Sequence, residues 1–171
     1  MRNTLTITVA VLALATAACG RKEAAPEILP PFEQGPPGEQ VAPGDVELVE
    51  LPAAQADLVA KAGSDTVYFG TDEYALDDAA RTTLAAQARW LIANPNVRAS
   101  IEGHCDERGT REYNMALGER RANAARDFLL AQGVPAERLL VTSWGKERPV
   151  APGSNEEAWA QNRRAVTVLV R

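Results

Sequence analysis

The chain has 171 residues, 46% of them hydrophobic, and a formal net charge of -5. That length supports one sizeable core with appendages, and an acidic balance argues against nucleic acid, whose phosphates select clusters of Lys and Arg. Cys19 and Cys105 are the only cysteines and His104 the only histidine, which excludes a disulfide framework, argues against most metal sites and implies no cofactor.

The N-terminus has the grammar of an export signal: Arg2, an apolar run from Leu5 to Ala15, then Thr16, Ala17, Ala18 and Cys19. The run is shorter than the roughly 20 apolar residues that span a bilayer. A cysteine directly after small residues at the end of such a run resembles the lipobox of bacterial lipoproteins, with Thr16 where Leu is usual. The resemblance implies cleavage after residue 18 and lipid on Cys19. Several acyl chains, at about 0.8 kcal/mol per buried CH2, would anchor the chain stably. Gly20, in place of an Asp, implies sorting to the outer membrane.

Seven of the eleven prolines lie between Gly20 and Gly63 (Pro26, Pro30, Pro31, Pro36, Pro37, Pro43 and Pro52), and no apolar period persists there. Residues 19–63 are therefore expected to be an extended tether, reaching about 130 Å at full stretch. Within it, a weak apolar pattern from Val46 to Val59 has room for a strand or short helix packed on the domain. The folded domain is expected over residues 64–171.

Thr66–Phe69 reads as a strand ended by Gly70. Asp77 or Asp78 can cap a helix carrying Ala80, Leu84, Ala88, Leu91 and Ile92 on one face, stopped at Asn94-Pro95. Val97–Glu102 is a second strand closed by Gly103. A long helix runs from about Arg111 to Gln132, with Gly133 and Pro135 as its stop. Leu139–Trp144 is a third strand, Ser154-Asn155-Glu156-Glu157 resembles a capping box opening a short helix through Trp159, and Ala165–Val170 is the last strand. Alternating strands and helices predict an α/β two-layer sandwich, with helices packed on one mixed sheet of about four strands.

The start of the long helix carries the chemistry. At 100° per residue Asn114, Gly118, Arg121, Ala125 and Phe128 share a stripe that should face the sheet, so Asn114 and Arg121 need partners. The preceding segment, Gly103–Gly109, supplies Asp106 where the chain leaves a strand, a usual place for binding loops. Gly118 leaves room for something to approach the helix. An Arg presents a planar fork to a carboxylate and an Asp presents an anion to an ammonium, a pair suited to a small zwitterion. Spacing supports equally an internal Asp106–Arg121 ion pair that orders the loop.

Phe69-x-x-Asp72, the run Ile101–Thr110 (IEGHCDERGT), the run Tyr113–Ala122 (YNMALGERRA) and the closing Asn162-Arg163-Arg164-Ala165-Val166 resemble the C-terminal domain family of outer membrane protein A, over about 105 residues. The lipobox, the Pro-rich tether and the wording of the two long runs are most similar to the peptidoglycan-associated lipoproteins within it. The resemblance implies binding of peptidoglycan through meso-diaminopimelate. Asp106 would hold its ammonium, Arg121 a carboxylate, and Asn114 the loop, while Phe69 and Asp72 belong to the motif that closes the pocket. It further implies TolB and other Tol-Pal components as partners, with a role in cell division. Cys105 stands where many members have Thr, and Arg163 and Arg164 become candidates for structural or wall contacts.

His104, Cys105 and Asp106 do not read as a hydrolase. Consecutive residues of an extended segment point to opposite sides, and a catalytic dyad needs hydrogen-bond contact. Two non-enzymatic readings stand: a lipoprotein of the Tol-Pal system, anchored in the outer membrane with its domain in the periplasm, or a wall-anchoring lipoprotein with no Tol partner.

Overall fold

A computed structural model describes residues 50–171; the export signal, Cys19 and most of the expected tether lie outside the described residues. In chain order the elements are α1 (Pro52–Ala62), β1 (Thr66–Tyr68), α2 (Asp78–Ala93), β2 (Arg98–His104), α3 (Arg111–Ala131), a 3-10 turn (Ala136–Arg138), β3 (Leu139–Gly145), α4 (Glu156–Asn162) and β4 (Arg164–Val170). The sheet order is β1-β4-β2-β3. β2 and β3 are parallel, with α3 as the crossover, and the other two pairings are antiparallel. The expected α/β sandwich with one mixed four-stranded sheet is what forms.

Local chemistry explains the boundaries. The Asp77 carboxylate accepts from Ala80 N at 2.7 Å, Thr110 Oγ1 accepts from Tyr113 N at 3.2 Å and Asn155 Oδ1 accepts from Ala158 N at 2.9 Å, each satisfying a helix N-terminal N–H. The cap of α4 is thus Asn155 and not Ser154, and Ala158 at its third position rules out the expected Ser-x-x-Glu box. The chain leaves α3 at Gly133, whose φ of 97° is in the region where a Cβ is strained. At the far end of α2, Arg138 donates to the carbonyls of Leu91, Asn94 and Val97 at 2.6–2.9 Å, so a side chain 40-odd residues away satisfies groups the helix leaves open.

The folded body begins before the Ser64 boundary expected from composition. Pro52, at the first helical turn where its missing N–H costs nothing, opens α1, and Leu58 of that helix is fully buried in the core. Burying one leucine contributes roughly 1.5–3 kcal/mol. The reason lies in the sheet: β1 is three residues long, so the edge of β4 runs on without a strand partner. Leu51 N donates to Leu169 O at 3.1 Å, and the Gln55 amide donates to Thr167 O and accepts from Leu169 N at 2.8 and 2.9 Å. This segment thereby covers an exposed edge.

α2 and α3 pack on one face of the sheet, around Leu84, Leu91, Ile101, Leu129 and Leu169, each at most 1% exposed. β2 runs past Gly103 to His104, with a register shift against β3 between those two residues. That irregularity re-aims the chain as it leaves the sheet, and the loop that follows carries Asp106.

Candidate functional site

Residues 105–110 form a loop held from three directions. Asn114, 2% exposed, donates through Nδ2 to the carbonyls of Arg108 and Thr110 at 2.7 and 3.0 Å. Lys146 Nζ reaches Gly109 O at 2.7 Å, and Asp106 Oδ1 accepts from Arg108 N at 3.1 Å. A cavity of about 260 Å3 lies against this loop, lined by Thr71, Asp72, Cys105, Asp106, Asn114 and Arg121 among others. It sits at the C-terminal end of β2, beside the first turns of α3.

Arg121 is the largest fully buried side chain among the described residues. Its guanidinium donates to three backbone carbonyls: Nε to Glu73 O at 2.8 Å, Nη1 to His104 O at 2.9 Å and Nη2 to Gly70 O at 2.9 Å. It thereby joins α3, the end of β2 and the segment after β1. One N–H on each terminal nitrogen is left over. The fork also lies over the Phe69 ring, 5.3 Å from its centroid. Burial lowers its pKa, opposed by nearby Cys105, Asp106 and Asp72; an Arg stays charged regardless.

Asp106 is 7% exposed and is not paired with Arg121. Its Oδ2 accepts from Arg108 Nη2 at 2.7 Å and Arg163 Nη1 at 3.4 Å, and its Oδ1 from Arg108 Nε at 3.1 Å. Burial alone would raise its pKa, but the bonds from Arg108 and Arg163 outweigh it and hold the carboxyl below its usual range. The internal Asp106–Arg121 ion pair that spacing allowed is therefore not formed among the described residues.

The remaining expected residues divide. Asp72 reaches the cavity, held at a positive φ of 56° and accepting from the Tyr113 hydroxyl at 3.3 Å. Phe69 does not line it: the ring is in the core, 6% exposed, and contributes its backbone, whose carbonyl accepts from Arg163 Nε at 3.1 Å. What approaches Gly118 is the Gly103 backbone and the Ser143 side chain, not a ligand. Arg164 lies away from the cavity, donating to the carbonyls of Asn162 and Arg148.

Cys105 is a buried free thiol that donates to Asn114 O at 3.4 Å. Burial pushes its pKa up despite Arg121. His104 has other company: its Nε2 lies 3.8 Å from Glu102, its Nδ1 has no hydrogen-bond partner among the described residues, and burial beside Arg164 and Arg148 pushes its pKa down to about 4. The two share no contact that would make a nucleophile and base. Arg108 and Arg163 are the cationic partners of Asp106, and sequence points to them unequally. Arg108 lies two residues after the acid, the spacing at which an Asp side chain commonly bonds the backbone two residues on, as Asp106 does here. Arg163 arrives from the far end of the chain.

The OmpA family model matches residues 68–163. The chain is 46% identical over 158 residues to the peptidoglycan-associated lipoprotein of Agrobacterium fabrum, covering 92% of this chain and 83% of that one. It is 52% identical over 118 residues to the protein of the same name from Rhizobium meliloti, covering 69% and 66%. The crystal structure of the peptidoglycan-associated lipoprotein from Burkholderia pseudomallei superposes with a TM-score of 0.61 at 44% identity, over 63% of this chain and 91% of that one. The C-terminal domain of Helicobacter pylori MotB, at 21% identity and a TM-score of 0.57, shares the fold. With a family match spanning the cavity-forming segments from β1 to Arg163, and relatives that share close to half their residues with it, this chain belongs to the OmpA family, among its peptidoglycan-associated lipoproteins.

Proposed function

We propose that this chain is an outer-membrane lipoprotein, anchored through lipid on Cys19, whose periplasmic domain holds the cell wall non-covalently by recognising the zwitterionic end of meso-diaminopimelate. The observation that carries the reading is that one small cavity is lined by both a buried carboxylate, Asp106, and a buried guanidinium, Arg121, with N–H groups to spare. An ammonium bound at Asp106 and a carboxylate at Arg121 complement those charges. Asn114 supports the loop and Asp72 borders the cavity from the other side. The work is binding, with no bond made or broken.

Purified full-length chain is added to sacculi built with diaminopimelate and to sacculi built with lysine. Lysine lacks the distal carboxylate, and losing a charged hydrogen bond costs roughly 1.5–3 kcal/mol, so the lysine wall should bind about ten- to a hundredfold more weakly. Asp106→Ala should lose the diaminopimelate wall while circular dichroism stays unchanged. Equal binding to both walls, or full binding by folded Asp106→Ala, rejects the reading.

Resemblance to the peptidoglycan-associated lipoproteins extends the proposal to TolB and the other Tol-Pal components, and through them to cell division. Capture of TolB from the same cell, with and without competing wall fragments, tests that extension; no capture under either condition leaves the chain as a wall anchor without a Tol partner.

A further inference from the structure

Asp106 already has a cation. Its carboxylate offers about four acceptor positions, and four N–H donors point at them: Arg108 N and Nε on Oδ1, Arg108 Nη2 and Arg163 Nη1 on Oδ2. Arg163 is fixed from behind. It also bonds Phe69 O at 3.1 Å and Glu156 Oε1 at 2.7 Å, and its side chain is 8% exposed. Arg108 is the partner able to leave: its side chain is 39% exposed, and its other holds are a 3.3 Å bond to Thr71 Oγ1 and stacking at 4.2 Å on the Trp159 ring. Thr71 and Arg108 both line the cavity.

Resting on the diaminopimelate reading above, we propose that Arg108 is a specificity-determining residue: a resident cation on Asp106 that a ligand ammonium must displace, and that only a ligand carrying a carboxylate beside its ammonium compensates. A lone ammonium gains Asp106 and strands Arg108, whose bonds to that carboxylate, among the strongest a side chain makes, are lost. A zwitterion gains Asp106 and gives the displaced guanidinium a carboxylate to bond, in the same cavity and alongside the spare N–H groups of Arg121. Arg108 thus acts against the wrong ligand as much as for the right one, which is how specificity is commonly built. Arg121 cannot serve in this way, because its fork is committed to three carbonyls and cannot swing.

The test compares wild type, Arg108→Gln, Arg108→Lys and Asp106→Ala as full-length chains, titrated with muramyl tripeptides carrying either meso-diaminopimelate or lysine. The quantity read is the ratio of the two dissociation constants. Arg108→Gln leaves Asp106 open to any ammonium, so lysine tripeptide should bind more tightly and the selectivity ratio should fall roughly tenfold, the scale of one charged hydrogen bond. Arg108→Lys keeps the charge without the fork and should fall between. An unchanged or increased ratio in both Arg108 variants, with Asp106→Ala still losing diaminopimelate, overturns the role of Arg108 and leaves the binding site standing. Undiminished binding by Asp106→Ala overturns the site itself.

Discussion

Gly103 of β2 and Gly118 of α3 meet backbone to backbone: a Cβ on Gly103 would overlap the Gly118 carbonyl, and one on Gly118 would press on the Gly103 carbonyl oxygen at 3.0 Å. The helix therefore sits on the strand with no side chain between them, which sets how far Arg121, one turn along, reaches into the cavity. Gly103→Ala forces backbone to move, and overpacking of this kind costs typically 1–3 kcal/mol and at backbone contacts more. Urea unfolding should show a loss of about 3 kcal/mol with an unchanged slope, and a loss below about 0.5 kcal/mol would mean the layers separate more readily than this contact implies.

Arg121→Lys should act first on stability. Three carbonyls from two separate segments converge on one guanidinium, and an ammonium on a shorter stem cannot reach all of them. Leaving buried carbonyls unpaired costs about 1–3 kcal/mol each. A destabilisation of about 3 kcal/mol is expected by chemical denaturation. A lysine variant of native stability would contradict the clamp.

The imidazole of His104 supplies a pH signature. Its folded pKa of about 4 lies below the usual 6.5, owing to burial first and then to Arg164 and Arg148. The unfolded chain thus takes up this proton before the folded one does. Stability is full above about pH 6.5 and declines as the pH falls towards 4, by at most about 3 kcal/mol. Glu102, whose carboxyl is raised chiefly by burial, acts with the opposite sign. Between about pH 6.5 and 5.5 the decline should belong to His104 and disappear in His104→Gln; equal slopes in the two proteins over that window would exclude the histidine as its source.

Cys105 should be an inert thiol. It is 3% exposed and its pKa is raised by burial, so little of the reactive thiolate exists at neutral pH. Iodoacetamide should modify the native chain far more slowly than the unfolded one. Thr can donate the same bond to Asn114 O, and Cys105→Thr should keep wall binding within about tenfold. A greater loss would give the sulfur a role of its own.

For Cys19 the expectation rests on sequence alone. Cys19→Ser removes the thiol to which lipid would attach. Mass spectrometry of the membrane fraction should find wild type acylated and the variant unprocessed at this position; a variant cleaved and membrane-bound like wild type would reject lipid anchoring.

Much of this fold is legible in the sequence because its signals are local. Strand alternation, the Asp77 cap, the stop at Gly133 and the four-strand alternation with helices depend on residues a few positions apart, and these determined the α/β sandwich. The stripe of Asn114, Gly118 and Arg121 on α3 is likewise a matter of helical period, and all three are buried. The partners of those residues were decided by the tertiary fold. Which carbonyls Arg121 clamps, how Arg163 comes to Asp106 and why α1 is needed to close the edge of β4 all depend on segments that lie 17 to 114 residues apart along the chain. Composition placed residues 50–62 in the tether while their weak apolar pattern left room for a short helix packed on the domain, which is what α1 is; the unpaired edge of β4 supplied the reason for it to fold. Side-chain chemistry chose the candidates, and the meeting of the end of β2, the start of α3 and Arg163 at one cavity chose their partners.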